Sequence, residues 1–239
     1  THNQMEGVAY ANTFPDSTFI KGSLPFVVYS TVDSAGKVNM NLTTQAADWT
    51  LVGYQFGTSP AEIHQMGKKI FVKNIGISLD DNVLLSVDGV ASDLLSDTMN
   101  VRFDRVNLEP IVSALARKHV PLQCSLDGDL YGYALMGEAM RFKTNNLRFD
   151  SIVYEGVHWG DLAVDMRWNN ERKGVLSKMV LTNEGRRTAL IQGVVKPVDQ
   201  TLKMVMTLDS LPVDRFIPFS SDFVSELRGN VGANILAEG

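Results

Sequence analysis

Apolar and polar residues alternate along much of this chain. Leu162, Val164, Met166 and Trp168 are interleaved with Asp161, Ala163, Asp165 and Arg167. Leu202, Met204, Met206 and Leu208 alternate in the same way with Thr201, Lys203, Val205 and Thr207, and Met99, Val101 and Phe103 flank Asn100 and Arg102. Successive side chains of a strand point to opposite faces, so each run predicts a strand with one apolar face. Asp80-Asp81-Asn82, Asn169-Asn170 ahead of Gly174, Asn183-Glu184-Gly185 and Pro197 to Gln200 supply turn signals between such runs. Strands recurring at roughly ten- to twelve-residue intervals predict a mainly β, antiparallel meander.

Two segments break that period. Leu108, Ile111, Val112 and Leu115 have helical spacing, with Asn107 placed to cap and Pro110 in the first turn, which predicts a helix over 107–118. Val213, Phe216 and Ile217 predict a shorter helical turn after Asp209, ended by Pro218.

The pattern also repeats. Phe71, Ile75 and Ile77 match Val175, Met179 and Leu181, while Leu85, Val87 and Gly89 match Ala189, Ile191 and Gly193. Met99, Val101, Phe103 and Asp104 then match Met204, Met206, Leu208 and Asp209. Past the helical segment, Leu126-Asp127-Gly128-Asp129-Leu130 matches Leu227-Arg228-Gly229-Asn230-Val231. Agreement of several elements in one order predicts an internal repeat of about 100 residues, with one copy over 71–174 and a truncated second over 175–239. A chain organised in this way reads as a piece of a longer β array.

Composition narrows the classes. With 239 residues, 44% hydrophobic and 21% charged, the chain is globular rather than disordered or collagen-like. Its 22 Lys and Arg against 27 Asp and Glu give a net charge of −5, and the cations are scattered. Nucleic-acid binding therefore has no electrostatic footprint. The single cysteine, Cys124, forms no internal disulfide and reads as a small buried apolar residue. No apolar run is long enough for a spanning helix.

Candidate chemistry is sparse. The four histidines, His2, His64, His119 and His158, lack metal-ligand spacing, and no nucleophile elbow or phosphate-cradling loop occurs. Asp127 and Asp129 flank Gly128 without continuing an oxygen-ligand series, so they read as solvent-facing strand positions. Asp104 and Asp209 read as turn or cap residues. Gly128, Gly132 and Gly137 read as strand glycines approached closely by other groups. Trp49, Trp159 and Trp168 could stack on sugars but fit packing better. No catalytic residue, metal ligand or cofactor is assigned.

The apolar faces remain. A sheet with one Val, Ile, Leu, Met and Phe face needs a second sheet, its own curled extension, or a ligand with alkyl chains to cover it. Methionine suits adaptable contact with flexible chains. The candidate lining residues are Leu162, Val164, Met166, Trp168, Leu202, Met204, Met206 and Leu208, with Met99, Val101 and Phe103 in the other copy.

At these residues the sequence resembles the TamB family (translocation and assembly module), within the AsmA-like group of bridge-like lipid transport proteins. Leu208-Asp209-Ser210-Leu211-Pro212-Val213-Asp214-Arg215-Phe216-Ile217-Pro218-Phe219 and Val224-Ser225-Glu226-Leu227-Arg228-Gly229-Asn230-Val231-Gly232 carry the resemblance. Phe103-Asp104-Arg105-Val106-Asn107-Leu108, Ile20-Lys21-Gly22-Ser23-Leu24-Pro25 and Thr188-Ala189-Leu190-Ile191-Gln192-Gly193 add to it. The resemblance implies a long curled, solenoid-like sheet, trough-shaped and apolar inside, with one or two short helices. It also implies a periplasmic, inner-membrane-anchored protein of the Gram-negative envelope, without enzymatic activity. Such a protein would conduct phospholipid acyl chains toward the outer membrane, with a TamA-like outer-membrane barrel as a candidate partner. Two alternatives stand beside it: a scaffold or chaperone for barrel assembly through sheet-edge pairing, and a β-helix carbohydrate-active enzyme or adhesin.

Overall fold

The alternating runs do fold as strands, and antiparallel pairing satisfies their backbone groups. The structure is a computed structural model that describes residues 2–12, 20–51, 54–79, 82–116, 118–196, 199–216 and 228–239. The fold is mainly β. The strands among the described residues are β1 (His2–Asn12), β2 (Ile20–Val32), β3 (Val38–Thr44), β4 (Ala47–Leu51), β5 (Tyr54–Thr58), β6 (Glu62–Met66), β7 (Lys69–Leu79) and β8 (Asn82–Ala91). They continue as β9 (Thr98–Asn107), β10 (Leu122–Tyr133), β11 (Arg141–Tyr154), β12 (Val157–Asn169), β13 (Gly174–Asn183), β14 (Arg186–Lys196), β15 (Thr201–Pro212) and β16 (Asn230–Glu238). One helix, α1 (Glu109–Ala116), follows β9, and a 3-10 turn, Val213–Phe216, follows β15.

The chain splits into two compact units. The first holds Thr1–Val106, Pro110–His119 and Asp129–Arg141, and the second holds Asn107–Glu109, Val120–Gly128 and Phe142–Gly239. In the first unit β3 and β4 lie in line along β2, and β5 and β6 lie in line along β7. Each pair is a single long strand with a break. Both halves keep one register against the facing strand, as Asn39 opposite Met66 and Leu51 opposite Tyr54 show. Ser59-Pro60-Ala61 forms one break, where Pro60 has no N–H for the ladder. Thr44 seals it, because its amide donates to the Ala61 carbonyl and its hydroxyl accepts the Ala61 amide. With these breaks bridged, β1 through β9 form a meander in chain order. In the second unit β11 through β16 do the same.

The first helical segment is shorter than expected. α1 starts at Glu109, whose amide donates to Asn107 Oδ1 at 3.1 Å, so Asn107 does act as the cap. It ends at Ala116 rather than Lys118, and Pro110 is fully buried in its first turn. The Leu115 side chain lies outside the described residues. The second segment is a single 3-10 turn, and Ile217 and Pro218 also lie outside the description.

Positions matched by the sequence repeat occupy corresponding places in two ladders. Ile75 faces Val87 and Ile77 faces Leu85, just as Met179 faces Ile191 and Leu181 faces Ala189. Leu85, Val87 and Gly89 face Phe103, Val101 and Met99, as Ala189, Ile191 and Gly193 face Leu208, Met206 and Met204. Phe71 departs from the match. A bulge between Val72 and Ile75, with Asn74 at φ 60°, turns Phe71 to the other face, where it pairs with His64 and Val90. The residue on the apolar face there is Val72, opposite Ile63 and Gly89.

Candidate functional site: the apolar sheet faces

Cross-strand partners share a face, so the registers map each face directly. In the second unit Leu162, Leu181, Ala189, Leu208 and Ala233 form one row across β12 to β16. Val164, Met179, Ile191, Met206 and Ile235 form the next. Met166, Ser177, Gly193, Met204 and Ala237 follow, and then Trp168, Val175, Val195 and Leu202. The two runs singled out in the sequence therefore lie on one face, separated by β13 and β14. Sequence reasoning missed the intervening Val175, Met179, Leu181, Ile191 and Val195 as lining. The signal was present for Val175, Met179, Leu181 and Ile191, since these residues carried the repeat.

Burial is uneven over this grid. Val164 is 8% exposed and Ala189 5%, whereas Leu202 and Ile235 reach 41% and 49%. Val195 is exposed as well, and Leu162, Met166, Trp168, Met204, Met206 and Leu208 are half-buried. The face is thus most enclosed at Val164, Ser177 and Ala189, on β12 to β14, and most open at Leu202 on β15 and Ile235 on β16. One polar atom sits inside it: the buried Ser177 hydroxyl finds no hydrogen-bond partner.

In the first unit a row crosses seven strands, from Met5 through Val28, Leu42, Ile63, Val72 and Gly89 to Met99. Val101 and Phe103 lie on the same face, opposite Val87 and Leu85. Exposure falls along this row from 58% at Met5 to 9% at Met99. Met99 is thereby a core residue rather than an accessible one.

The reverse face of the second unit is mixed, with charged residues among Val180, Leu190, Val205 and Leu236. Asp165 faces Lys178, Arg167 faces Leu176, and Lys203 faces Glu238 with their charged groups 3.3 Å apart. These residues line an open groove of about 1250 Å³, with Leu176, Val194 and Val205 among them. A smaller cleft of about 320 Å³ in the same unit is bounded by Asn107, Glu109, Cys124 and Asp150. Burial, with Asp150 nearby, pushes the Cys124 thiol up to about 11, which suits a packed residue and not a nucleophile.

The other singled-out residues have structural partners. Asp129 accepts from Arg102 at 3.1 Å and Asp127 pairs with Arg148 at 3.7 Å, so both are ion-paired strand positions. Asp104 and Asp209 do not cap helices. They lie within β9 and β15, where Asp104 pairs with Arg105 and Asp209 with Arg187. Gly128 and Gly132 are strand glycines closely approached by Leu147 and Leu135, but Gly137 lies in the β10–β11 loop beside Asp93. The Trp49 ring lies over Gly22. His64 tilts against Phe71 with 6.2 Å between ring centres. Among the described residues no group of three or more His, Cys, Asp or Glu side chains could hold a metal ion. No described helix is long and apolar enough to cross a membrane.

These features define an antiparallel β-meander protein with apolar sheet faces. No family model, curated protein or solved structure matches the chain.

Proposed function

We propose that this chain is a non-enzymatic, lipid-conducting segment of a TamB-like protein in the periplasm, part of a longer repeated β array. Its apolar face shields phospholipid acyl chains between the two membranes and so serves outer-membrane biogenesis. The observation that carries this reading is the apolar grid of the second unit. It spans five strands, keeps its alternation without a charged interruption, and opens toward Leu202 and Ile235. An alkyl chain lying along such a face gains about 0.8 kcal/mol for each methylene taken from water. Similar side chains along the rows give similar affinity at successive positions, which permits sliding rather than tight capture.

Native mass spectrometry of the purified chain should reveal co-purified phospholipid. A photo-crosslinker at Met204 should capture lipid, and one at Lys203, on the reverse face, should not. Equal capture from both positions would overturn the assignment.

A second reading rests on the edges. Among the described residues β16 pairs with β15 alone, and its Ile235 and Leu236 are exposed. Such an edge can add an extended segment, including a strand of a TamA-like barrel or its client. Disulfide trapping of barrel strands against β16, with no lipid bound, would favour that scaffold role.

A further inference from the structure

The turns at one end of the first unit carry apolar residues where turns are ordinarily polar. Val32 and Val38 flank the β2–β3 turn, and both are exposed. Met66 begins the next turn and is exposed beside Asn39, which ties the two turns together. Leu94 and Leu95 project from the β8–β9 loop, which follows Ala91 opposite Ile70. Met136 projects from the β10–β11 loop, whose backbone bonds to the β8–β9 loop through the Met136 amide and the Ser92 carbonyl at 2.9 Å. Four successive tips thus stand side by side.

These tips are held rather than loose. Ser92 is wholly buried, its hydroxyl accepts the Leu94 amide and donates to Asp97, and Asp97 also pairs with Lys69 at 2.7 Å. The β2–β3 turn is fastened by Asp33, which accepts the amides of Ala35 and Lys37. Two turns of the second unit differ: Asn170-Glu171-Arg172-Lys173 and Glu184-Gly185 are exposed and polar, although exposed Val195 and Leu202 flank the β14–β15 turn.

We infer that this row of tips is a docking surface for a phospholipid bilayer, with the apolar tips entering the headgroup–acyl boundary. The shape favours a bilayer over a folded partner, because separate projecting tips fit a deformable phase and present no groove for a segment to fill. The charges agree. Lys37, Lys68, Lys69 and Arg141 lie in or beside these turns, and Asp33, Asp93, Asp97 and Glu138 balance them. Balanced charge predicts binding to zwitterionic lipid with little dependence on salt, unlike a polybasic anchor. The inference does not depend on the lipid-conducting face, which lies on other residues.

Flotation of the full 239-residue chain with phosphatidylcholine vesicles tests it. The wild type should float to a similar extent at low and high salt. The double variant Leu94→Asp, Leu95→Asp should partition at least about tenfold less while keeping its circular dichroism spectrum. Arg172→Gln, in a polar turn of the second unit, should float like wild type. An environment-sensitive fluorophore on Leu95→Cys should shift to the blue with vesicles, which reads insertion without a charge substitution. Absence of wild-type flotation, or unchanged flotation of the double variant, would overturn the inference. So would a lipid-free dimer that the double variant dissolves, since the tips would then serve a second copy of the chain.

Discussion

At the scale of single residues, aspartates repair the ladder where it bulges. Asn74 and Ser151 have φ near 60° and 54°, and the Asp88 and Asp161 carboxylates accept their displaced amides at 2.7 and 2.8 Å. Asp161→Ala should lower unfolding free energy by about 1 kcal/mol in urea titrations, and Asp161→Asn, which keeps an acceptor oxygen, should restore most of it. Lys69 and Ser92 hold the Asp97 carboxyl below its ordinary value. A carboxylate lowered in the folded state stabilises at neutral pH, and that contribution is lost as pH falls through its folded pKa. Protection factors of amides in the β8–β9 loop, taken relative to the intrinsic exchange rate at each pH, should therefore fall as the pH is lowered through that pKa, and Asp97→Asn should remove that fall. Cys124 supplies a simpler check. With its thiol raised to about 11, native alkylation near pH 8 should run about a hundredfold slower than in the denatured chain.

At the scale of elements, close strand approach sets which glycines matter. A Cβ at Gly89, where φ is 131°, would fall on the Thr98 carbonyl oxygen and 2.9 Å from the Met99 Cα. Gly89→Ala should therefore cost about 2 kcal/mol or more and loosen β8 from β9. Gly36→Ala also strains a positive φ, at 77°, but meets nothing within 4 Å, so its cost should stay near 1 kcal/mol. Thermal melts of the two variants compare them directly. Most strands were legible in the sequence because alternation has a two-residue period. The breaks at 45–46 and 59–61, the bulge at Asn74 and the φ of 49° at Arg105 were not, because a bulge depends on the partner strand as well as on its own residues. For this reason Phe71 matched Val175 in sequence yet faces the other way. Asp104 and Asp209 read in sequence as turn or cap residues for a related reason: each sits near a strand end, and its pairing with an arginine depends on the fold.

At the scale of the molecule, function depends on whether the apolar grid is reached by a ligand. Met206 stands between Ile191 and Ile235, two strands from Met179. Met206→Arg places an unpaired charge there and should abolish lipid co-purification while leaving secondary structure in place, as circular dichroism would report. Wild-type lipid loading of a folded Met206→Arg protein would count against the conducting face.

The sequence by itself determined the strand class, the one capped helix, the two apolar runs in the second unit and the absence of clustered basic charge, because each follows from local period or composition. Only the tertiary structure decided that Leu162–Trp168 and Leu202–Leu208 share one face. That outcome required the register of β13 and β14 between them, and a one-residue slip would have sent the runs to opposite sides. It also decided that Val164 and Met99 are enclosed while Leu202 and Ile235 stand open. Alternation assigns a residue to a face, and what lies over that face depends on contacts between segments distant in the chain.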